Sequence, residues 1–196
     1  GTTGENEQQK IDVAFRVIAD HIRTLSFSIA DGIQPGNTDR NYVLRRILRR
    51  AVRYGRTLDL HEPFFYKLVQ VLADKMGQVF PELVEKQRHV EKVIRIEEES
   101  FNKTLDRGIG LFEEEAAKKA EGDTLDGAFV FQLYDTYGFP LDLTELMARE
   151  RKLGVDTAGF EKNMEAQRER ARKAQKKEVV ELSQIESTDA TRFLGF

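Results

Sequence analysis

The chain has no cysteine, which excludes disulfides and thiolate metal sites and fits a reducing compartment. No apolar run approaches membrane-spanning length, and no secretory signal is read ahead of Ile11. His21, His61 and His89 stand alone, without the spacing of a zinc site. Gly108-Ile109-Gly110 lacks the third glycine and the preceding strand of a dinucleotide site, and no Walker-type loop occurs. No Ser/His/Asp arrangement suggests itself, so no catalytic centre and no metal site are expected within these residues. One further absence is local. Between Arg40 and Arg56 there is neither a lysine nor an acidic residue, although the stretch holds seven arginines.

At about 100° per residue, Arg45, Arg46, Arg49, Arg50, Arg53 and Arg56 share an arc of roughly 140° on a helix. Val43, Leu44, Ile47 and Ala51 gather on the opposite, core-seeking side. Like charges at i,i+4 repel, so such a ladder calls for anionic partners. Phosphates suit forked guanidinium donors; acidic residues from elsewhere in the fold are the alternative. Both signs are present, because a net charge of −3 over 196 residues conceals an acidic region from Glu91 to Glu115 that includes Glu97-Glu98-Glu99.

The pattern predicts an all-α, multi-helix domain with one long helix and a short extended segment at its C-terminal end. Residues 1–10 are polar and read as a linker or an expression remnant. Residues 11–177 form the helical domain, and residues 178–196 read as the start of a following domain. The first helix is predicted over Ile11–Ala30, with Phe15, Ile18, Ile22, Leu25 and Ile29 on one face and Asp31-Gly32 as its stop. Asn37 or Thr38 caps the arginine helix, which Gly55 ends. Pro63 opens a third helix, and a long helix runs from Glu82 to about Ala120, weakened at Gly108 and Gly110. A short helix follows from Gly127 to about Tyr134. Asp142 and Glu145, at capping-box spacing, open a helix that ends at Gly154, and Asp156 caps a last helix reaching about Gln175.

Two loop segments stand out, Pro35-Gly36-Asn37-Thr38-Asp39-Arg40 and Leu133-Tyr134-Asp135-Thr136-Tyr137-Gly138-Phe139-Pro140. A helix cap would suffice to explain Asn37. Asp135 reads as a helix-end carboxylate, a placement the macrodipole disfavours.

The segment Val17-Ile18-Ala19-Asp20-His21-Ile22-Arg23 and the runs PGNTDRNYVLRRILRRAVRYG, EEESFNKTLDRG and GDTLDGAFVFQLYDTYGFPLDLT resemble, in order and spacing, the alanyl-tRNA synthetases. The resemblance extends from about Ile11 to Phe196. It implies a helical tRNA-recognition segment between a class II catalytic domain and an editing domain, in a cytoplasmic alanine–tRNA ligase. ATP, Mg and Zn are then implied for the longer protein and not for this segment, which is not expected to charge tRNA alone. The implied partners are the acceptor stem of tRNA(Ala) and the catalytic and editing domains of the same chain, with no membrane and no DNA; major-groove readers usually mix Asn, Gln and Ser among their arginines.

The resemblance places the two residues that approach a G·U wobble pair from the minor groove on Asn37 and Asp135. The wide, shallow minor groove of A-form RNA admits short side chains. The guanine 2-amino group of a wobble pair lacks its usual partner and can donate to a carboxylate, while an amide both donates and accepts. Arg40, Arg45, Arg46, Arg49, Arg50 and Arg53 are the candidates for the RNA backbone, with Glu97–Glu99 or the catalytic domain as alternative partners for some. Asn41 departs from the family, which usually has Gly after the loop arginine; Asn tolerates unusual backbone angles.

Overall fold

The computed structural model describes residues 3–183, and side-chain surroundings within residues 7–174. The described residues contain eight α-helices, one short 3-10 turn and one pair of two-residue strands. Helix α1 (Thr3–Ala30) is longer than predicted, because Glu5, Glu7, Gln8, Gln9 and Lys10 are good helix formers and simply extend it through the expected linker. It ends at Gly32, whose φ of 93° is the left-handed conformation foreseen for the stop. Ile18, Ile22, Leu25 and Ile29 are buried, whereas Phe15 is 60% exposed and belongs to the other side.

Helix α2 (Asp39–Thr57) is the arginine helix and lies along α1. Its core face is Leu44, Leu48, Ala51 and Val52; Val43 is exposed and Ile47 only half-buried. Gly55 does not end it. A Cβ there would stand 2.4 Å from Phe64, so this glycine admits a ring against the helix backbone. Pro63 opens no helix either: a 3-10 turn at Phe65–Lys67 leads into α3 (Leu68–Met76). The long helix is divided, α4 (Pro81–Glu85) turning at Lys86 into α5 (Gln87–Ala116), which passes through Gly108 and Gly110 without interruption. Phe101, Leu105 and Phe112 of α5 join Leu48, Ile22 and Leu133 in one continuous core.

The last third of the chain repeats a small device. Strand β1 (Thr124–Leu125) runs into Asp126, which caps α6 (Gly127–Tyr137) by accepting from Ala128 N at 2.7 Å. After α7 (Leu141–Glu150), strand β2 (Gly154–Val155) runs into Asp156, which caps α8 (Thr157–Ser183) by accepting from Gly159 N at 2.9 Å. The strands pair in parallel, Thr124 with Gly154 and Leu125 with Val155. They therefore deliver α6 and α8 side by side in the same direction. Gly127 makes the approach possible, since a Cβ there would lie 2.5 Å from the Gly159 and Phe160 backbone.

Gly154 thus sits in a strand and not at a helix end, and Pro140, not Asp142, precedes α7. Helix α8 continues through residue 183, so the extended character expected from residue 178 does not hold as far as Ser183. The rest of that expected segment, residues 184–196, lies outside the described residues.

Candidate nucleic-acid interface

Thr38 has the extended backbone of a helix N-cap, and the acidic Asp39 in the first turn suits the positive end of the α2 dipole. Neither Asn37 nor Thr38 caps through its side chain: the Thr38 hydroxyl makes no cap bond, and the Asn37 amide is used elsewhere. The unusual backbone angle in this loop falls on Asp39, with φ of 48°, and not on Asn41. Asn41 is helical and its carbonyl accepts from Gly36 N at 2.9 Å, so this position does not require a left-handed backbone.

The arginine ladder is paired from within, six guanidiniums sharing four carboxylates. Arg45 and Arg49 both pair with Glu97 of α5, at 3.0 and 2.6 Å. Arg46 and Arg50 both pair with Asp142 of α7, at 2.9 and 2.5 Å. Arg53 pairs with Glu150, and Arg56 with Asp106 at 2.6 Å. Bonding to Asp142 raises the pKa of Arg46 above its already high value. Asp142, expected to cap α7, is instead the bridge that binds α7 to α2. The partners Asp106, Asp142 and Glu150 were not visible in the sequence, because no local spacing signals a pairing across the fold. Arg40, at the start of α2, is exposed and, among the described residues, is the arginine of the 40–56 stretch outside these six ion pairs.

Asn37 and Asp135, far apart in sequence and both exposed, line one open cavity of about 540 Å³ together with Arg45, Arg49, Tyr134 and Gln167. The C-terminal end of α6, which carries Asp135, is held from two sides. Thr104 Oγ1 donates to the Tyr137 carbonyl at 2.8 Å, and Arg49 Nη1 donates to the Gly138 carbonyl at 2.5 Å. Gly138 closes α6 with φ of 72°, and its missing Cβ leaves room for the Arg49 guanidinium.

Asn37 Oδ1 accepts from Arg45 Nη1, and Asp135 Oδ1 accepts from Gln167 Nε2. Gln167 was not anticipated; its signal lies in the two Asp-capped starts that set α8 beside α6. A second cavity of about 650 Å³ adjoins the first and shares Asn37, Tyr42 and Tyr134 with it. Burial pushes the Tyr42 hydroxyl pKa up to about 12, so Tyr42 stays a neutral donor throughout the physiological range.

Among the described residues, no group of three or more His, Cys, Asp or Glu side chains is placed to hold a metal ion. No described helix is long and apolar enough to cross a membrane. His21 is mostly buried, and that burial lowers its pKa.

Comparison with known proteins places this architecture. The family model described as class II (A) tRNA synthetases matches residues 1–196. The alanine–tRNA ligase of Akkermansia muciniphila is 57% identical over 184 residues, 94% of this chain and 19% of the relative. That of Chlorobaculum tepidum is 61% identical over 163 residues, 82% of this chain and 18% of the relative. That of Enterococcus faecalis is 54% identical over 170 residues, 86% of this chain and 19% of the relative. The chain thus spans about a fifth of the length of these relatives.

Proposed function

This chain belongs to the alanyl-tRNA synthetase family, and on that footing we propose that it recognises the acceptor stem of an alanine tRNA by reading a G·U wobble pair with Asn37 and Asp135. The observation that carries the reading is the shared cavity: two side chains from distant segments flank one opening with two guanidiniums beside them. Asp135 accepts from the guanine 2-amino group that wobble pairing leaves without a partner. Asn37, facing it, bonds to the oxygens of the same minor groove. Arg40 and the outward N–H groups of Arg45, Arg46, Arg49, Arg50 and Arg53 meet phosphates on either side, setting register without reading sequence.

The longer protein would then join alanine to tRNA with ATP in a catalytic domain, and this module would present the correct stem to it. ATP, Mg and Zn belong to that larger account. Among the described residues, no set of side chains is placed to hold a metal ion.

A second reading has an observation in its favour. With its ladder already paired to protein carboxylates, the module would serve as a helical connector without RNA binding of its own. Titrating a labelled acceptor-stem RNA hairpin with this chain, at low and moderate salt and with duplex DNA of the same sequence as competitor, separates the two. Binding that weakens steeply with salt and resists the DNA supports RNA recognition. Failure to bind at low salt supports the connector, and equal competition by DNA contradicts the minor-groove account.

A further inference from the structure

The two side chains assigned to the base pair stand on different segments, and a carboxylate from a third element joins them. Glu97 is largely buried, with 11% of its side chain exposed. Its Oε1 accepts from Arg49 Nε at 2.9 Å and Nη2 at 2.6 Å and lies 3.0 Å from Arg45 Nε; its Oε2 accepts from Arg45 Nη2 at 3.2 Å. Each arginine passes the connection on. Arg45 donates to Asn37 Oδ1, and Arg49 donates to the Gly138 carbonyl at the end of the helix that carries Asp135.

Arginine is a donor only, so the Asn37 oxygen must turn toward Arg45, and its amide N–H groups turn to the cavity. Gln167 occupies Asp135 Oδ1, leaving Oδ2 as the acceptor for a base. The cavity therefore presents a donor and an acceptor at a separation set by one carboxylate. From this geometry we infer that Glu97 is a positioning residue for wobble selectivity, holding Arg45 and Arg49 together so that Asn37 and Asp135 face the base pair in fixed register. The inference rests on the function proposed above. The same bonds occupy part of each guanidinium and so weaken its hold on phosphate, which means Glu97 trades general affinity for selectivity.

That trade gives the signature of the test. Binding of G·U and G·C acceptor-stem hairpins is measured at two salt concentrations for the chain and three variants, with thermal melts to confirm folding. The unaltered chain is expected to prefer the wobble stem by at least about tenfold, the scale of a single good base-edge contact. Glu97→Gln removes the charge that binds both arginines. It is expected to hold the G·C stem more tightly than the unaltered chain does, with a steeper salt dependence and most of the preference gone. Glu150→Gln, which releases only Arg53, is expected to bind both stems more tightly and keep the preference. Arg45→Lys keeps the charge but cannot fork between Glu97 and Asn37; it should lose the preference with the salt dependence unchanged.

Weaker binding of both stems by a folded Glu97→Gln, or an undiminished preference in it, overturns the inference. Should Glu97→Gln not fold, an undiminished preference in Arg45→Lys overturns it instead. No preference in the unaltered chain refutes the proposed function itself, and the inference falls with it.

Discussion

An asparagine and an aspartate bring little bulk to a surface, so their contribution depends on which hydrogen-bonding atoms their neighbours leave open. Asn37 and Asp135 are both exposed and pack little, so Asn37→Ala and Asp135→Asn are expected to leave the melting temperature nearly unchanged. Each is expected to lose ~1–3 kcal/mol of preference for a G·U over a G·C stem, by analogy with base-edge contacts in DNA. Paired titrations of the two hairpins check this, and full selectivity in both variants would contradict the assignment. Glu98 shows the opposite economy. It is completely buried; its Oε1 accepts from Phe64 N and Phe65 N at 2.8 and 2.9 Å, and its Oε2 from Tyr66 N at 3.2 Å.

Burial pushes the Glu98 carboxyl pKa above its ordinary 4.5, an effect the three backbone N–H groups partly offset. The folded state then holds this proton more tightly than the unfolded one. The contribution of Glu98 to stability is therefore complete below pH 4.5 and is lost as pH rises through the elevated value. Glu98→Gln turns an N–H toward a backbone N–H and is expected to cost about 1–3 kcal/mol in denaturant unfolding. The gap between the original chain and this variant should narrow as pH rises from 4.5; a gap that widens would contradict the sign. At this scale the assignment of Asn37 and Asp135 rests only on the motifs around them. Glu97 and Glu98 were visible as an acidic run, but their partners come from distant parts of the chain and leave no mark in local sequence.

Among the elements, α1, α2 and α6 were legible in the spacing of their apolar residues and in their caps, while glycine was the commonest source of error. Gly55 and Gly108 read as weak points because a glycine lowers helix propensity, yet each lies inside a helix and receives an aromatic ring. The sequence shows the missing side chain but not the neighbour that needs its space. Two glycines in α5 test the distinction. A Cβ at Gly108 would lie 2.2 Å from Phe139, whereas at Gly110 nothing comes within 4 Å. Gly108→Ala is expected to destabilise by roughly 1–3 kcal/mol through overpacking. Gly110→Ala is expected to stabilise by about 0.5–1 kcal/mol through helix propensity alone. Thermal unfolding of the pair checks both signs. The two-residue strands escaped notice because Thr124-Leu125 and Gly154-Val155 are too short to show alternation.

Across the whole molecule, opposite charges are set against each other between helices and not spread apart on separate faces. The basic face of α2 meets acids of α5 and α7, so under the proposed function RNA phosphates would compete with these carboxylates for the paired arginines. Arg40 is the exposed one outside the ion pairs. Arg40→Ala is expected to weaken G·U and G·C stems alike and to reduce the salt slope by about 1, read from titrations across a range of salt. A loss confined to the wobble stem would place Arg40 at the bases instead.

The all-α architecture was readable from periodicity, but several boundaries were not: α1 begins at Thr3, α2 runs past Gly55, and the long helix divides at Lys86. The gathering of α2, α6 and α8 around one cavity was not, since it depends on strand pairing and ion pairs between distant residues. The most direct measurement is fluorescence anisotropy of this chain against two acceptor-stem hairpins that differ only in G·U or G·C, at two salt concentrations. Salt-sensitive binding that favours the wobble stem is the expected result. Equal binding to both stems, or none at low salt, would contradict base-pair recognition within these residues.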